Sequence, residues 1–208
     1  MQYYISDLHF FCRSQTNEGA VNYDGRPYNT VEEMNRDLLS RWNRKVTNAD
    51  TVYILGDLAF RGKNDALIAQ VAQLKGKKVL IKGNHDDLSD LRYKQLFTGI
   101  FERKEVTDCF GGKAYKLVLD HFPILMWAGQ HKGVILLYGH THNSAEETFF
   151  QKCLAEMNAS EELSLRRHGG QKIQAFNVGA MMPYMGYEPR TLREIMEHTN
   201  PCFGGKTH

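Results

Sequence analysis

Short apolar runs alternate with amphipathic stretches along the first half of the chain, and each run stops on a polar residue that packing alone does not require. Tyr3–Ile5, Thr51–Leu55 and Lys78–Lys82 have the length and the β-branched or aromatic content of buried strands. Between them, Val31, Met34, Leu38 and Trp42 recur at helical spacing, and so do Leu67, Ile68, Val71 and Leu74. Thr30 with Glu33 makes a capping box for the first helix; Gly76 stops the second, which the pattern starts at Asn64. This βαβαβ order predicts parallel strands with helices packed on the sheet. Leu88–Phe97 reads as a further short helix. After Gly99 the pattern changes. Lys104–Thr107 and Ala114–Asp120 predict a hairpin around Gly111-Gly112, and Val134–Tyr138 and Lys172–Val178 predict two more strands before a last helix at Arg190–His198. Residues 144–172 form an insertion whose first half places Phe149, Phe150, Cys153, Leu154 and Met157 at helical spacing, while its second half is polar.

The chemistry lies where the strands stop. Lys78–Asp87 reads KVLIKGNHDD: a buried strand ends at Gly83 and runs straight into an amide, an imidazole and two carboxylates. In an open α/β sheet that edge is where ligands bind. The other strand ends carry Asp7 and His9, Asp57, His121, and His140 with His142. Residues two apart share a face in extended backbone, so the Asp7/His9 and His140/His142 pairs are expected to point at one place. The donors are oxygen and nitrogen only, which suits Mn²⁺, Fe, Zn²⁺ or Ni²⁺ better than a thiolate zinc site. So many donors exceed the needs of one tetrahedral ion. Two ions sharing a carboxylate account for them, with Asp57, lone and central in the order, as the bridge. Two cations roughly 3.5–4 Å apart activate a shared water and clamp the oxygens of an in-line displacement, chemistry that suits phosphate-ester hydrolysis.

Composition narrows the picture by exclusion. With 208 residues, one domain over 1–208 carrying the insertion is the natural expectation. A net charge of +2 without like-charge runs gives no dedicated nucleic-acid or membrane surface. Cys12, Cys109, Cys153 and Cys202 are scattered, with no CxxC pair. Met1 leads directly into a strand-like segment, and no apolar run approaches the ~20 residues of a membrane span, so a cytoplasmic location is expected.

Asp7-x-His9, Gly56-Asp57, Gly83-Asn84-His85-Asp86, His121 and Gly139-His140-x-His142, each after a strand, resemble in order the five motifs of the calcineurin-like metallophosphoesterases. The resemblance spans residues 6 to 142 and reaches Asn177-Val178-Gly179. It implies an α/β fold of four layers, an α/β/β/α sandwich with two mixed β-sheets. It implies that one metal takes Asp7, His9, Asp57 and His142 and the other takes Asp57, Asn84, His121 and His140. His85 is then the non-ligand imidazole that stabilises the transition state or protonates the leaving oxygen. Asp57 and His85 are thus the expected catalytic residues, with Arg61 and Asn84 on the substrate.

One departure matters. The phosphoprotein phosphatase branch carries Gly-Asp-x-x-Asp-Arg-Gly at its second motif; here Phe60 stands at the second Asp position, while Arg61 is retained. A partner Asp for His85 must come from elsewhere, and Asp86 is the candidate. Protein phosphatase activity is disfavoured. Arg26-Pro27, followed by Thr30-Val31-Glu32-Glu33-Met34-Asn35, is similar to a segment of small bacterial phosphoesterases. The expected function is hydrolysis of phosphate esters by a hydroxide bridging two divalent ions, Mn²⁺ foremost. The expected substrate is a small or nucleotide-like phosphodiester. A phosphomonoesterase or nuclease is the alternative, and a non-catalytic protein-binding scaffold is disfavoured because His85 and every expected ligand are present. The 144–172 insertion is expected to cap the cleft and select substrate.

Overall fold

The structure, a computed structural model, describes residues 1–59 and 65–199. Strands β1 (Gln2–Ile5), β2 (Thr51–Ile54), β3 (Lys77–Ile81) and β4 (Gly99–Phe101) form one sheet in that order, every pair parallel. The crossovers carry helices α1 (Val31–Lys45), α2 (Asp65–Ala72) and the single turn α3 (Leu91–Lys94). β5 (Arg103–Phe110), β6 (Lys113–Asp120), β7 (Ile135–Tyr138) and β8 (Ala175–Asn177) form the second sheet, antiparallel at β5–β6 and parallel thereafter. The β5–β6 hairpin turns through Gly111 and Gly112 at φ 57° and 74°, the left-handed pair that a two-residue hairpin loop demands. β4 escaped the sequence pattern: three residues starting on a glycine are too short to show a period. Its partner β3 supplies the order.

Alternation along the strands sorts the layers. Leu117, Leu119, Ile135 and Leu137 join Tyr4, Ile5 and the α1 residues Met34, Leu38 and Trp42 in one buried core. The intervening Val118, Leu136 and Tyr138 face the other way, onto Phe150 and Leu154 of helix α4 (Ala145–Ala159). The order is therefore helices, sheet, sheet, helix, as the resemblance implied. Each such side chain, fully buried, contributes about 1.5–3 kcal/mol. The α1 capping box forms: Glu33 N–H donates to Thr30 Oγ1 at 3.1 Å, and the Glu33 carboxylate reaches back to Asn29 N–H at 2.9 Å. Trp127 packs in the outer core with its indole on the Val134 carbonyl, whereas Met126 stays exposed.

The two sheets are stitched together along the outer edge of β1. Ser6 N–H donates to the Val178 carbonyl at 2.8 Å and Ala180 N–H to the Ser6 carbonyl at 2.9 Å. Tyr4 pairs antiparallel with Arg190, ahead of helix α6 (Leu192–Thr199), so an exposed strand edge is covered. This pair is the antiparallel element of an otherwise parallel first sheet. Among the described residues, no helix is long and apolar enough to cross a membrane.

Candidate metal centre

Strands β1, β2, β3, β6 and β7 all end along the seam between the sheets, and there the backbone leaves its ordinary range. Asp7, His9, Asp57, His140 and His142 have φ of 53°, 51°, 50°, 70° and 52°; among the described non-glycine residues only Phe11 and Tyr187 share the left-handed region. Such conformations cost about 1–3 kcal/mol each and persist where surroundings over-determine them. Here they do. Asp7 N–H and His9 N–H donate to the Gly56 and Asp57 carbonyls, both at 3.0 Å, and Thr141 N–H closes a γ-turn centred on His140 by donating to Gly139 at 2.8 Å. The expectation that Asp7/His9 and His140/His142 converge through extended backbone is therefore corrected. They converge because each residue is kinked.

Glycine makes room at the third strand end. A Cβ on Gly83 would collide with the Asp57 carboxylate, so the β3 loop can approach β2 only without a side chain.

The kinks bring two groups of side chains together. In one, ligand atoms of Asp7, His9 and His142 lie mutually within 4.8 Å; in the other, those of Asp57, His121 and His140 do. His9 Nε2 and His142 Nε2 face each other at 3.2 Å, with Asp7 Oδ1 at 3.9 and 3.6 Å from them. Asn84 Oδ1 joins the second group, at 2.9 Å from His121 Nε2 and 3.0 Å from His140 Nδ1. Asp57 Oδ2 stands between the groups, 3.9 Å from His9 Nε2 and 3.7 Å from His121 Nε2. His85, with its side chain a third exposed, sits at the mouth with Nε2 4.0 Å from the same oxygen, and its backbone N–H donates to Asp57 Oδ1 at 2.9 Å.

Burial, then the Arg26 charge and the adjacent imidazoles, holds His9 well below the usual histidine range. Burial and His121 lower His140 as well, although Asp7 and Asp57 act upward. These two rings are neutral at pH 7, with lone pairs available. Burial pushes the Asp57 carboxyl up, as expected of an anion that lacks a countercharge. Imidazole nitrogens aimed at one another and a buried carboxylate between them are the arrangement a cation resolves.

A family model described as calcineurin-like phosphoesterase matches residues 3–158. The chain belongs to that family. Its members use divalent metal ions and act on phosphate esters, and the oxygen and nitrogen donors gathered here fit such ions. An uncharacterized Methanocaldococcus jannaschii protein, MJ1445, is 35% identical over 142 residues, covering 67% of this chain and 68% of its own. The gene 66 protein of Mycobacterium phage D29 is 28% identical over 128 residues, covering 51% of this chain and 64% of its own. A solved Aquifex aeolicus protein of unknown function, AQ665, shares the fold with a TM-score of 0.63 and 21% identity over 95% of this chain and 98% of its own.

In this calcineurin-like phosphoesterase a further set of residues, mostly unseen in the sequence, orients the motif residues. Asp24 Oδ1 accepts from His142 Nδ1 at 2.5 Å, while Asp24 Oδ2 takes Arg26 Nε at 3.0 Å and Nη2 at 2.9 Å. Burial works against ionisation of Asp24, but His142 and Arg26 outweigh it and the carboxyl sits below its ordinary value. Burial likewise lowers His142, yet Asp24 and Asp7 prevail and its pKa rises. The Asp24 bond fixes the Nδ1 proton and turns Nε2 toward the centre. Arg26 also donates to the Leu8 and Asp7 carbonyls, both at 2.8 Å, and so holds the kinked loop.

Asp86 is a correction. Its carboxylate accepts from the backbone N–H groups of Gly83 (2.8 Å), Asp57 (2.9 Å) and Leu58 (3.1 Å), tying two motif loops together instead of serving as the partner of His85. Burial and Asp57 push it up to about 6 against those three donors. Glu147 and Asn177 do the same for the third loop. Glu147 accepts from Thr141 Oγ1 (2.7 Å) and Asn177 Nδ2 (3.0 Å), and Asn177 Nδ2 also donates to the His142 carbonyl at 3.0 Å. The insertion expected to cap the cleft thus lies along the second sheet as α4, with its first turn at the rim. Its polar half holds the short helix α5 (Glu161–Ser164). Phe60 and Arg61 lie outside the described residues.

Proposed function

We propose that the protein is a two-metal phosphoesterase that favours small or nucleotide-like phosphodiesters. The observation that carries this reading is Asp57 Oδ2 standing within 3.9 Å of an imidazole nitrogen from each group, so that one carboxylate serves both. Asp7, His9, Asp57 and His142 would hold one ion; Asp57, Asn84, His121 and His140 would hold the other. Divalent ions bound there would lower the pKa of a shared water and neutralise charge on the phosphoryl oxygens. Mn²⁺ is the ion we put first, and the oxygen and nitrogen donors are equally compatible with Fe, Zn²⁺ or Ni²⁺.

In the reaction, one P–O ester bond breaks, a water oxygen takes its place on phosphorus, and the alcohol leaves with a proton. His85, at the mouth and outside both ligand sets, delivers that proton. Asp57 holds the His85 loop through the His85 N–H, so the acid and the carboxylate between the groups keep a fixed spacing. Arg61 and Asn84 are assigned to the phosphoryl group, Arg61 on its place in the second motif alone. A reducing cytoplasm suits the free Cys12, Cys109 and Cys153.

The test is hydrolysis of bis-p-nitrophenyl phosphate and p-nitrophenyl phosphate with Mn²⁺, Ni²⁺, Mg²⁺ or EDTA, beside His85→Ala. Metal-dependent turnover, faster on the diester and reduced about 10²-fold or more in the variant, is the expected result. A faster monoester would make the enzyme a phosphomonoesterase. No turnover from protein shown by elemental analysis to hold two ions would overturn the hydrolase reading.

A further inference from the structure

Two recesses of different chemistry flank the candidate centre. One, of ≈ 510 Å³, is lined by His9, His85 and His142 together with the polar side chains Ser14, Gln15, Tyr23 and Asn143. The other, of ≈ 560 Å³, is walled by Phe122, Pro123, Leu125, Phe149 and Phe150. They share His140, Thr141 and Glu146, so the second reaches the Asp57, His121 and His140 group at His140. Each has the size of a small-molecule site.

The apolar recess is not core that happens to be uncovered. Phe149 is 69% exposed, Phe122 43% and Leu125 42%, three large apolar side chains around one hollow. Single exposed apolar residues need no explanation, but a contiguous rim beside a reactive centre does. Phe149 stands on α4 one turn from Ala145 and Cys153, which line the same hollow, at a position where a polar residue would cost the helix nothing. Phe122 is held by its N–H on Asp120 Oδ1 at 2.9 Å, and its ring lies 4.5 Å from that of His140. One wall is therefore built into the centre.

We infer that the substrate is an unsymmetrical phosphodiester whose retained arm is aromatic or otherwise apolar and lies between Phe122 and Phe149. The inference rests on the phosphoesterase reading and specifies its substrate. A diester has two arms and the centre has two recesses. His85, the assigned proton donor, lines the more polar of the two, so the leaving alcohol departs there. The apolar arm stays on phosphorus, on the Phe122 side. The reaction consumes one water, whose oxygen replaces that of the polar alcohol, and releases a monoester of the apolar arm.

The experiment compares phenyl p-nitrophenyl phosphate with methyl p-nitrophenyl phosphate on the metal-loaded protein, so that the leaving group is constant and only the retained arm changes. A ratio of kcat/KM of about ten or more in favour of phenyl is expected, the usual scale for an apolar pocket. Phe149→Ala should bring that ratio to within about three-fold of unity, and Phe149→Tyr should restore it. Metal content and the circular dichroism of each variant show that fold and centre are intact. Turnover of both esters at similar rates, or a preference that survives Phe149→Ala, overturns the inference while leaving the phosphoesterase reading in place. A change in self-association with an unchanged ratio overturns it too, and assigns the patch to a second copy of the chain. Failure to hydrolyse any ester defeats the phosphoesterase reading and takes the inference with it.

Discussion

Replacing Asp24 with Asn keeps the shape of a side chain that touches the buried Arg26 and the partly buried His142, and removes its charge. The Asp24 and Arg26 side chains are 1% and 0% exposed, so the arginine would be left inside the protein without its counter-ion. Breaking a buried pair in this way costs about 3–5 kcal/mol. The amide oxygen can still accept from Arg26, and the Leu8 and Asp7 carbonyls remain, so the cost belongs at the lower end, about 3 kcal/mol. At about 2–4 °C per kcal/mol for a chain of this size, Tm should fall by about 6–12 °C. The second effect is separate. With no carboxylate on Nδ1, the His142 ring loses the bond that selects its tautomer, and metal affinity should drop about 10–100-fold. Melting the metal-free proteins isolates the first effect, because bound ions would add stability of their own. Calorimetric titration with Mn²⁺ reads the second. A metal-free Asp24→Asn protein within about 0.5 kcal/mol of the parent, or one that binds Mn²⁺ with parental affinity, would refute the reasoning.

Glu147→Ala would take the carboxylate acceptor from the Tyr138 and Thr141 hydroxyls, at about 1–3 kcal/mol for each buried group left unpaired, and would leave the Asn177 amide only its bonds to Thr141 and His142. A loss of at least about 3 kcal/mol in urea unfolding is expected, with weaker metal binding because the 139–142 loop loses its brace, and a loss under about 1 kcal/mol would contradict it. Glu194 gives a pH test remote from the centre. Burial pushes its carboxyl up, but Lys45 at 2.6 Å and the Thr191 backbone and hydroxyl prevail and hold it below its ordinary value. A depressed folded pKa stabilises above the unfolded value and ceases to do so as pH falls through the folded one. The stability gap between parent and Glu194→Gln should be full at pH 7 and shrink below about pH 4.5. A gap that widened on acidification would have the wrong sign.

The centre was legible wherever chemistry sat next to a strand in the chain. Asp57 follows Ile54 by three residues and His121 follows Asp120 directly, so a buried run broken by a ligand-type residue was visible without any structure. Asp24 and Glu147 were invisible for the opposite reason. One comes from a loop and the other from the first turn of α4, and what recruits them is reach across space, which no local period encodes. The two-residue spacings suggest extended backbone, whereas each of these residues is left-handed. Left-handed Asp and His residues leave no mark in sequence, because the residue is chosen for its ligand atoms and the surrounding hydrogen bonds supply the conformation. Asp86 stands out in the sequence beside His85, but nothing in Gly83-Asn84-His85-Asp86 says that its carboxylate turns back onto amides.

The division of the centre between the sheets bears on when it can be made. A chain that has left the ribosome only as far as the β5–β6 hairpin turn owns Asp7, His9, Asp57, Asn84 and His85. It completes neither ligand group, because His121, His140 and His142 are still to come. Ions held by these two groups would therefore be captured only after the second sheet has been translated. Once captured, each ion would clasp the earliest strands to the latest, and chelation would loosen the protein along the seam where its two halves meet.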